Sequence, residues 1–444
     1  MQFDGKFPAR DWSVHMATWY FCPGGKPLRL GELDQCAVVS SCHADEPKIL
    51  LMSRRVDQPV GTGYSVGTPT AVSQEETAQE FVKFFKNFQK IFGIKNFKIY
   101  VTGESYAGRY VPYISAAMLD EKDKEYFDLD GELSWIFKRL GCKLTIYQGA
   151  LAYDPCIGQF DTVQEEVPVV PFVQQNLNLF NFNESFMAEL DKKHKSCGYE
   201  KFIDKYLTFP PPEVQPPLLS SSLDDDCDLF SLVNNEIFHI NPCFDVYEIN
   251  QMCPLLWDVL AFPTSLDYQA PGSSVYFDRA DVKRALHAPK TAWSGCSLEP
   301  VYVGGDSGPE REGDISANPI EHVLPQVIEA TNRVLISNGD FDMVVITNGT
   351  LLAIQNMTWN GHLGFQKKPD TPIDIKMPDL MYADVFAENS QSGVDGPQGV
   401  MGVQHYERGL MWAQSYQSGH MQPQYQPRVA YRHLEWLLRR TEEL

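Results

Sequence analysis

Nowhere does the chain hold an uninterrupted apolar run approaching the ~18 to 20 residues of a spanning helix, and so no helical membrane protein is expected. A surplus of positive charge is also missing. With 37 Lys and Arg against 58 Asp and Glu, the formal net charge is -21. Nucleic acid and anionic membrane surfaces would repel such a chain, and neither is expected as a partner. None of the ten cysteines forms a C-x-x-C pair, which removes zinc-ribbon and thioredoxin-type motifs. Met1–Lys6 leads into no apolar leader core, so no signal peptide is visible. What is present is globular: 444 residues, 43% hydrophobic and 12% aromatic, enough for one large α/β domain with an insertion or for two domains.

Four cysteines, Cys197, Cys227, Cys243 and Cys253, fall close together and read as disulfides of an oxidising compartment. Candidate glycosylation sequons at Asn183, Asn348 and Asn356 agree with that setting.

The most informative stretch is Phe97-Lys98-Ile99-Tyr100-Val101-Thr102-Gly103-Glu104-Ser105-Tyr106-Ala107-Gly108, an apolar strand running into a serine among small residues and then into a helix. A serine on a strand-to-helix turn has strained backbone angles, so its neighbours two before and two after must be small; Gly103 and Ala107 meet that demand. Such a turn lifts Oγ clear of the sheet. It also aims the first N–H groups of the helix, beginning with that of Tyr106, at the place where an oxyanion would form. Tyr110, Val111, Tyr113, Ile114, Ala117 and Met118 continue at helical spacing.

Ahead of this elbow, Ser73 and Glu76 form a capping box. Ala78, Phe81, Val82, Phe84, Phe85, Phe88, Ile91 and Phe92 then make one apolar face, expected in the core, and Gly93 stops the helix. The order helix, strand, serine, helix is that of a parallel α/β sheet. Lys143–Ala150 reads as a further strand ending at glycine. Residues 154–268 change character, with amphipathic stretches Glu165–Phe182 and Phe186–Lys195, a proline run and the cysteine cluster; they read as an inserted helical, disulfide-containing cap over the mouth of the site. Residues 56–153 and 269–444 are then the α/β core. Residues 1–55 show neither alternation nor helical spacing and stand apart as an atypical segment.

Arg333–Asn338 reads as a buried strand opening into Gly339-Asp340-Phe341-Asp342, where open α/β sheets place ligand groups. Asp342, one step past the turn, is better placed than Asp340 to reach inward. Leu410–Tyr416 alternates like a strand and opens into Gln417-Ser418-Gly419-His420, and a last helix starts with Pro427 in its first turn. Of the later histidines, His433 lies within that helix, and His362 and His405 read as loop residues. His420 follows a strand and a glycine. The order Ser105, Asp342, His420 is nucleophile, acid, base, as in α/β-hydrolases.

Together with Asp57-Gln58-Pro59-Val60-Gly61-Thr62-Gly63-Tyr64-Ser65, the motifs Gly103-Glu104-Ser105-Tyr106-Ala107-Gly108, Gly339-Asp340-Phe341-Asp342 and Gly419-His420-Met421 resemble the serine carboxypeptidase family, its fungal members in particular, from about Val56 to the C-terminus. The resemblance implies an α/β-hydrolase fold with a helical cap, a secreted or vacuolar setting, and removal of C-terminal residues from peptides and proteins at acid pH. It implies no cofactor and no metal, peptide C-termini as partners, and a monomer or homodimer. By position Ser105 resembles the nucleophile, Asp342 the acid, His420 the base and the Tyr106 N–H one oxyanion donor. Glu104 matches the glutamate that binds the substrate's terminal carboxylate, a role that requires the carboxyl to be kept neutral. Rival readings are an acyltransferase or esterase on the same triad and a catalytically silent binding homologue.

Two family features are missing. The Asn-Gly-Gly-Pro-Gly-Cys-Ser-Ser motif that would supply the second oxyanion N–H is absent, as is the Glu-x-Gly-Pro glutamate that would pair with Glu104; Cys22-Pro23-Gly24-Gly25 has similar residues in another order. Residues 1–55 are therefore expected to stem from a faulty gene model or an altered exon, Cys296 to lack its partner, and activity to be impaired.

Overall fold

A computed structural model of the chain describes residues 56–93, 99–123, 126–127, 149–218, 225–253, 257, 269–295, 297, 300–303, 313–375 and 399–444. The expectations for residues 1–55, for residues 143–148 of the second strand and for Cys296 lie outside them.

Among the described residues six strands make one sheet: β1 (Tyr100–Glu104), β2 (Gly149–Tyr153), β3 (Val334–Gly339), β4 (Thr371–Ile375), β5 (Gly399–Glu407) and β6 (Leu410–Ser415). Their spatial order is β1-β2-β3-β6-β5-β4. The first four in that order are parallel, while β5 pairs antiparallel with both β6 and β4. β3 is buried along its whole length, as a parallel strand covered on both faces must be. Val334 and Ile336 enter one core with α1 (Gln74–Phe92), α2 (Ala107–Asp120) and α3 (Val323–Thr331). Leu335 faces the other side, where it joins Val429 and Trp436 of α4 (Pro427–Leu437). This is an α/β-hydrolase architecture, a mostly parallel sheet flanked by helices.

Between β2 and β3 the chain builds helices. A π-helical stretch, Phe160–Glu166, is followed by the helices Val169–Gln175, Glu184–Ser196, Tyr199–Tyr206 and Leu229–Ile240. They enclose a second core with Met343, Ile346 and Leu352, residues that follow the Asp342 loop. The amphipathic stretch Glu165–Phe182 is thus not one helix. Pro168 and Asn176 interrupt it, and Asn181 ends its last turn with a left-handed backbone. Disulfides Cys197–Cys227 and Cys243–Cys253 pin the insertion, as the cysteine cluster predicted.

Several local expectations need correction. The phenylalanine face of α1 is only partly core: Ala78, Phe81 and Val82 are buried, but Phe84 is 48%, Ile91 78% and Phe92 65% exposed. The helix packs against α2, and its buried apolar side chains all lie in its first half. Ser73 does cap α1 through the Glu76 N–H, yet the Glu76 carboxylate takes the N–H of Val72 at 2.9 Å, one residue before the cap. The second strand is described over Gly149–Tyr153 and so continues three residues past Ala150, every one of them buried. His362 and His405 lie in strands: His362 opens the second arm of a short hairpin, and His405 sits within β5, 3.0 Å from Glu407.

Candidate active site

The elbow follows from sterics. At the end of β1 Ser105 takes a left-handed backbone, φ 61°, and its N–H donates to Tyr153 O at 2.8 Å, tying it to the end of β2. A Cβ on Gly103 would stand 2.3 Å from that of Ala107, and one on Gly108 would stand 2.4 Å from the backbone nitrogen of Cys156. Only small residues fit, and α2 starts directly behind the serine with Tyr106 as its N-cap. The Cys156 N–H donates to Ser105 O at 3.1 Å, which fixes the turn from the β2 side. The Tyr106 ring is anchored by its hydroxyl, which donates to Asp314 at 2.6 Å.

Asp342 leaves the end of β3 and is fully buried. One oxygen takes the N–H of Val344 at 2.8 Å, and the other stands 2.7 Å from Nδ1 of His420. His420 is buried as well, and its Nε2 has no hydrogen-bond partner among the described residues. Burial works to lower the pKa of the imidazole, but the charge of Asp342 and the hydrogen bond to it, helped by Glu104 and Asp245, carry it upward. Asp340 does not reach inward: its carboxylate accepts the N–H of Ser418 at 3.1 Å and so joins the loop that carries Asp342 to the loop that carries His420.

Ser105, Asp342 and His420 thus stand at the same carboxyl-terminal edge of β1, β3 and β6. Asp342 and His420 are in contact, while no hydrogen bond joins His420 to Ser105. Glu104 is half-buried next to the serine. Desolvation raises its carboxyl to about 7, with His420 opposing and Asp342 adding.

Two acids that pattern reading passed over complete the site. Asp154, buried with φ 42°, follows β2 directly. It accepts the Gly339 N–H at 2.7 Å and a hydrogen bond from the Gln422 amide at 2.6 Å, so one side chain links β2 to the segments that carry Asp342 and His420. Burial, then the neighbouring Asp342, pushes its carboxyl well up. The rule that found Asp342, a carboxylate just past a parallel strand, applies equally to Asp154 once β2 is seen to reach Tyr153. Glu248 is the second: its carboxylate accepts the Gly419 N–H, and burial raises it to about 8. Nothing in its surrounding sequence marks it.

Asp154, Asp342 and His420 have ligand-type atoms within 4.8 Å of one another; the four carboxylate oxygens are engaged by Gly339, Gln422, Val344 and His420 Nδ1, which leaves Nε2 of His420 without a partner among the described residues. Of the sequon residues, Asn183 is exposed and caps the helix Glu184–Ser196, Asn348 is half-buried, and Asn356 holds the Gln215 N–H at 2.7 Å. Among the described residues no helix is long and apolar enough to cross a membrane.

Comparison with known proteins bears on this geometry. A family model described as "Serine carboxypeptidase" matches residues 55–440. Serine-type carboxypeptidase F of Aspergillus niger is 67% identical over 389 residues, which cover 88% of this chain and 70% of that protein. A probable serine carboxypeptidase of Arthroderma benhamiae is 40% identical over 387 residues, covering 87% of this chain and 66% of its own length. Among solved structures, a prohormone-processing carboxypeptidase from Saccharomyces cerevisiae superimposes with a TM-score of 0.57 at 20% identity, over 86% of this chain and 73% of that one, a likeness of fold.

Proposed function

The chain belongs to the serine carboxypeptidase family of serine-type hydrolases, and on that premise we propose that it removes C-terminal residues from peptides and proteins through Ser105, Asp342 and His420. The observation that carries the reading is the buried 2.7 Å contact of Asp342 with His420 at the strand edge that also bears a serine in left-handed backbone. In the proposed reaction His420 Nε2 takes the proton of Ser105 as Oγ attacks the last peptide carbonyl, and Asp342 holds the imidazolium that forms. The proton passes to the leaving amine, and water, activated by the same histidine, releases the acyl group.

The Tyr106 N–H is assigned as oxyanion donor, with Asp314 anchoring its ring. Since the usual upstream motif is absent from the sequence, turnover is expected to fall about a hundred- to a thousandfold short of a site with two donors. Glu104, neutral below about 7, donates a hydrogen bond to the substrate's terminal carboxylate and sets a preference for acid pH. The helices between β2 and β3 cap the site. The family setting favours secretion or the vacuole, with Asn183, Asn348 and Asn356 as glycan acceptors.

A fluorophosphonate probe tests the nucleophile. Labelling is expected at Ser105 and is expected to vanish in Ser105→Ala. Peptides with free and amidated C-termini test the substrate class. Equal turnover of the two, or preference for a simple ester, argues instead for an esterase or acyltransferase. A folded, unlabelled protein argues for a silent homologue.

A further inference from the structure

The short segment Asp245–Ile249 lies within the insertion, after its helix Leu229–Ile240, and it touches both the loop that carries Asp342 and the loop that carries His420. The Met343 N–H donates to Val246 O at 2.9 Å, and the Ile249 N–H donates to Phe341 O at 3.2 Å, so the segment holds the residues on either side of Asp342. The His420 N–H donates to Tyr247 O at 2.7 Å, the Gly419 N–H donates to the Glu248 carboxylate, and the Tyr247 ring lies 5.1 Å from the imidazole, centroid to centroid. The fit leaves no slack: a Cβ on Gly419 would stand 1.9 Å from Tyr247 O. The segment's own turn is fixed by Asp245, which accepts the Tyr247 N–H at 3.0 Å. Beyond it, the Gln251 amide donates to the Tyr425 hydroxyl at 3.3 Å. Disulfide Cys243–Cys253 closes the whole segment into a ring.

We infer that this disulfide-closed ring is a bracket that sets the alignment of Asp342 with His420, and that Glu248 is a positioning residue of the triad. The inference rests on the triad reading above. Two loops far apart in sequence are aligned by binding to one rigid third element, which removes the freedom each would have alone. Glu248 holds the base loop one residue before the imidazole, so its loss lets His420 move along its own chain while the peptide-binding surface stays intact. A misplacement of about 1 Å in such a group is enough to cost on the order of a hundredfold in rate.

Purified full chain is assayed for kcat and KM on a blocked dipeptide with a free C-terminus and for the rate of fluorophosphonate labelling. Wild type labelled at Ser105, with no labelling of Ser105→Ala, establishes the triad reading first. An unlabelled wild type removes that reading and the bracket with it. Given labelling, Glu248→Ala is expected to lower kcat and the labelling rate by about tenfold to a hundredfold while KM stays within about twofold. Glu248→Gln, which keeps an acceptor oxygen, is expected to regain most of the rate. The double variant Cys243→Ser, Cys253→Ser opens the ring with every hydrogen bond still available, and is expected to move in the same direction as Glu248→Ala. Wild-type kcat and labelling in folded Glu248→Ala overturn the inference, as does a loss in Glu248→Gln as deep as in Glu248→Ala. Should Glu248→Ala not fold, the ring-opened protein decides: slowed labelling supports the bracket and wild-type labelling overturns it.

Discussion

On the proposed function, Glu104 places an acid beside the site where an acidic substrate end would bind, and its protonation would decide the sign of that meeting. Below about 7 the carboxyl keeps its proton and can donate; above it two anions face each other. KM for a peptide with a free C-terminus is therefore expected to climb as pH rises through about 7. Glu104→Gln keeps a donor that does not titrate, so its KM should stay within about threefold between about pH 5 and about pH 8. KM measured against pH for both proteins checks this; parallel curves would remove Glu104 from substrate binding. At this scale the sequence was legible wherever a local rule applied: small residues around Ser105, a carboxylate after β3, a glycine before His420. Asp154 escapes that rule in the sequence because Gly149 reads as the end of its strand. Glu248 was missed because its partner Gly419 is remote in sequence, and no periodicity links them.

Among the elements, the helix Leu229–Ile240 shows how the insertion is held. Its first N–H groups are satisfied from two sides: Asp228 accepts that of Ser231 at 2.9 Å, and Glu166, from the π-helical stretch, accepts those of Leu229 and Phe230 at 2.7 and 2.9 Å. Glu166→Ala leaves buried donors without a partner and is expected to cost about 1 to 3 kcal/mol, whereas Glu166→Gln retains an acceptor and should cost less. Urea unfolding midpoints of the two variants would separate them; equal loss would assign the effect to packing. Elements with strong period were readable: β3 stands one residue from its expected bounds, and α4 starts at Pro427 as expected. The failures came where tertiary context overrides local pattern. Phe84, Ile91 and Phe92 sit on a regular apolar stripe, yet the buried apolar side chains of that stripe, Ala78, Phe81 and Val82, all lie in the first half of α1. The stretch 165–182 has helical spacing, yet Pro168 denies the backbone a donor and the helix restarts after it.

At the scale of the whole molecule, charge and burial combine into a pH response. Burial raises Asp340 to about 6, Glu104 to about 7, and Glu166 and Glu248 to about 8. For each, the folded chain binds a proton that the unfolded chain has already released, so this stability is present in full below the ordinary carboxyl range and is lost as pH rises toward about 8. The net charge of -21 acts in the same direction, since protonation relieves self-repulsion. Buried His194 and His433 act oppositely. Burial lowers them to about 4 and about 3, so folding is weakened as acid begins to charge them. Thermal melting is thus expected to peak in mild acid and to decline toward pH 8, with added salt recovering part of the loss at neutral pH. A melting temperature that rises steadily from pH 5 to 8 would contradict the assignment of these acids as protonated in the fold.

The chain leaves β2 at Tyr153 and returns to lie beside it only at Val334, with every insertion helix between. Neighbours so distant in sequence must find each other late, after a costly loop closure, and such topologies assemble slowly. Refolding from denaturant should therefore lag well behind formation of the helices, and its yield should drop as protein concentration rises, because an unfinished sheet offers open edges to other copies in the meantime.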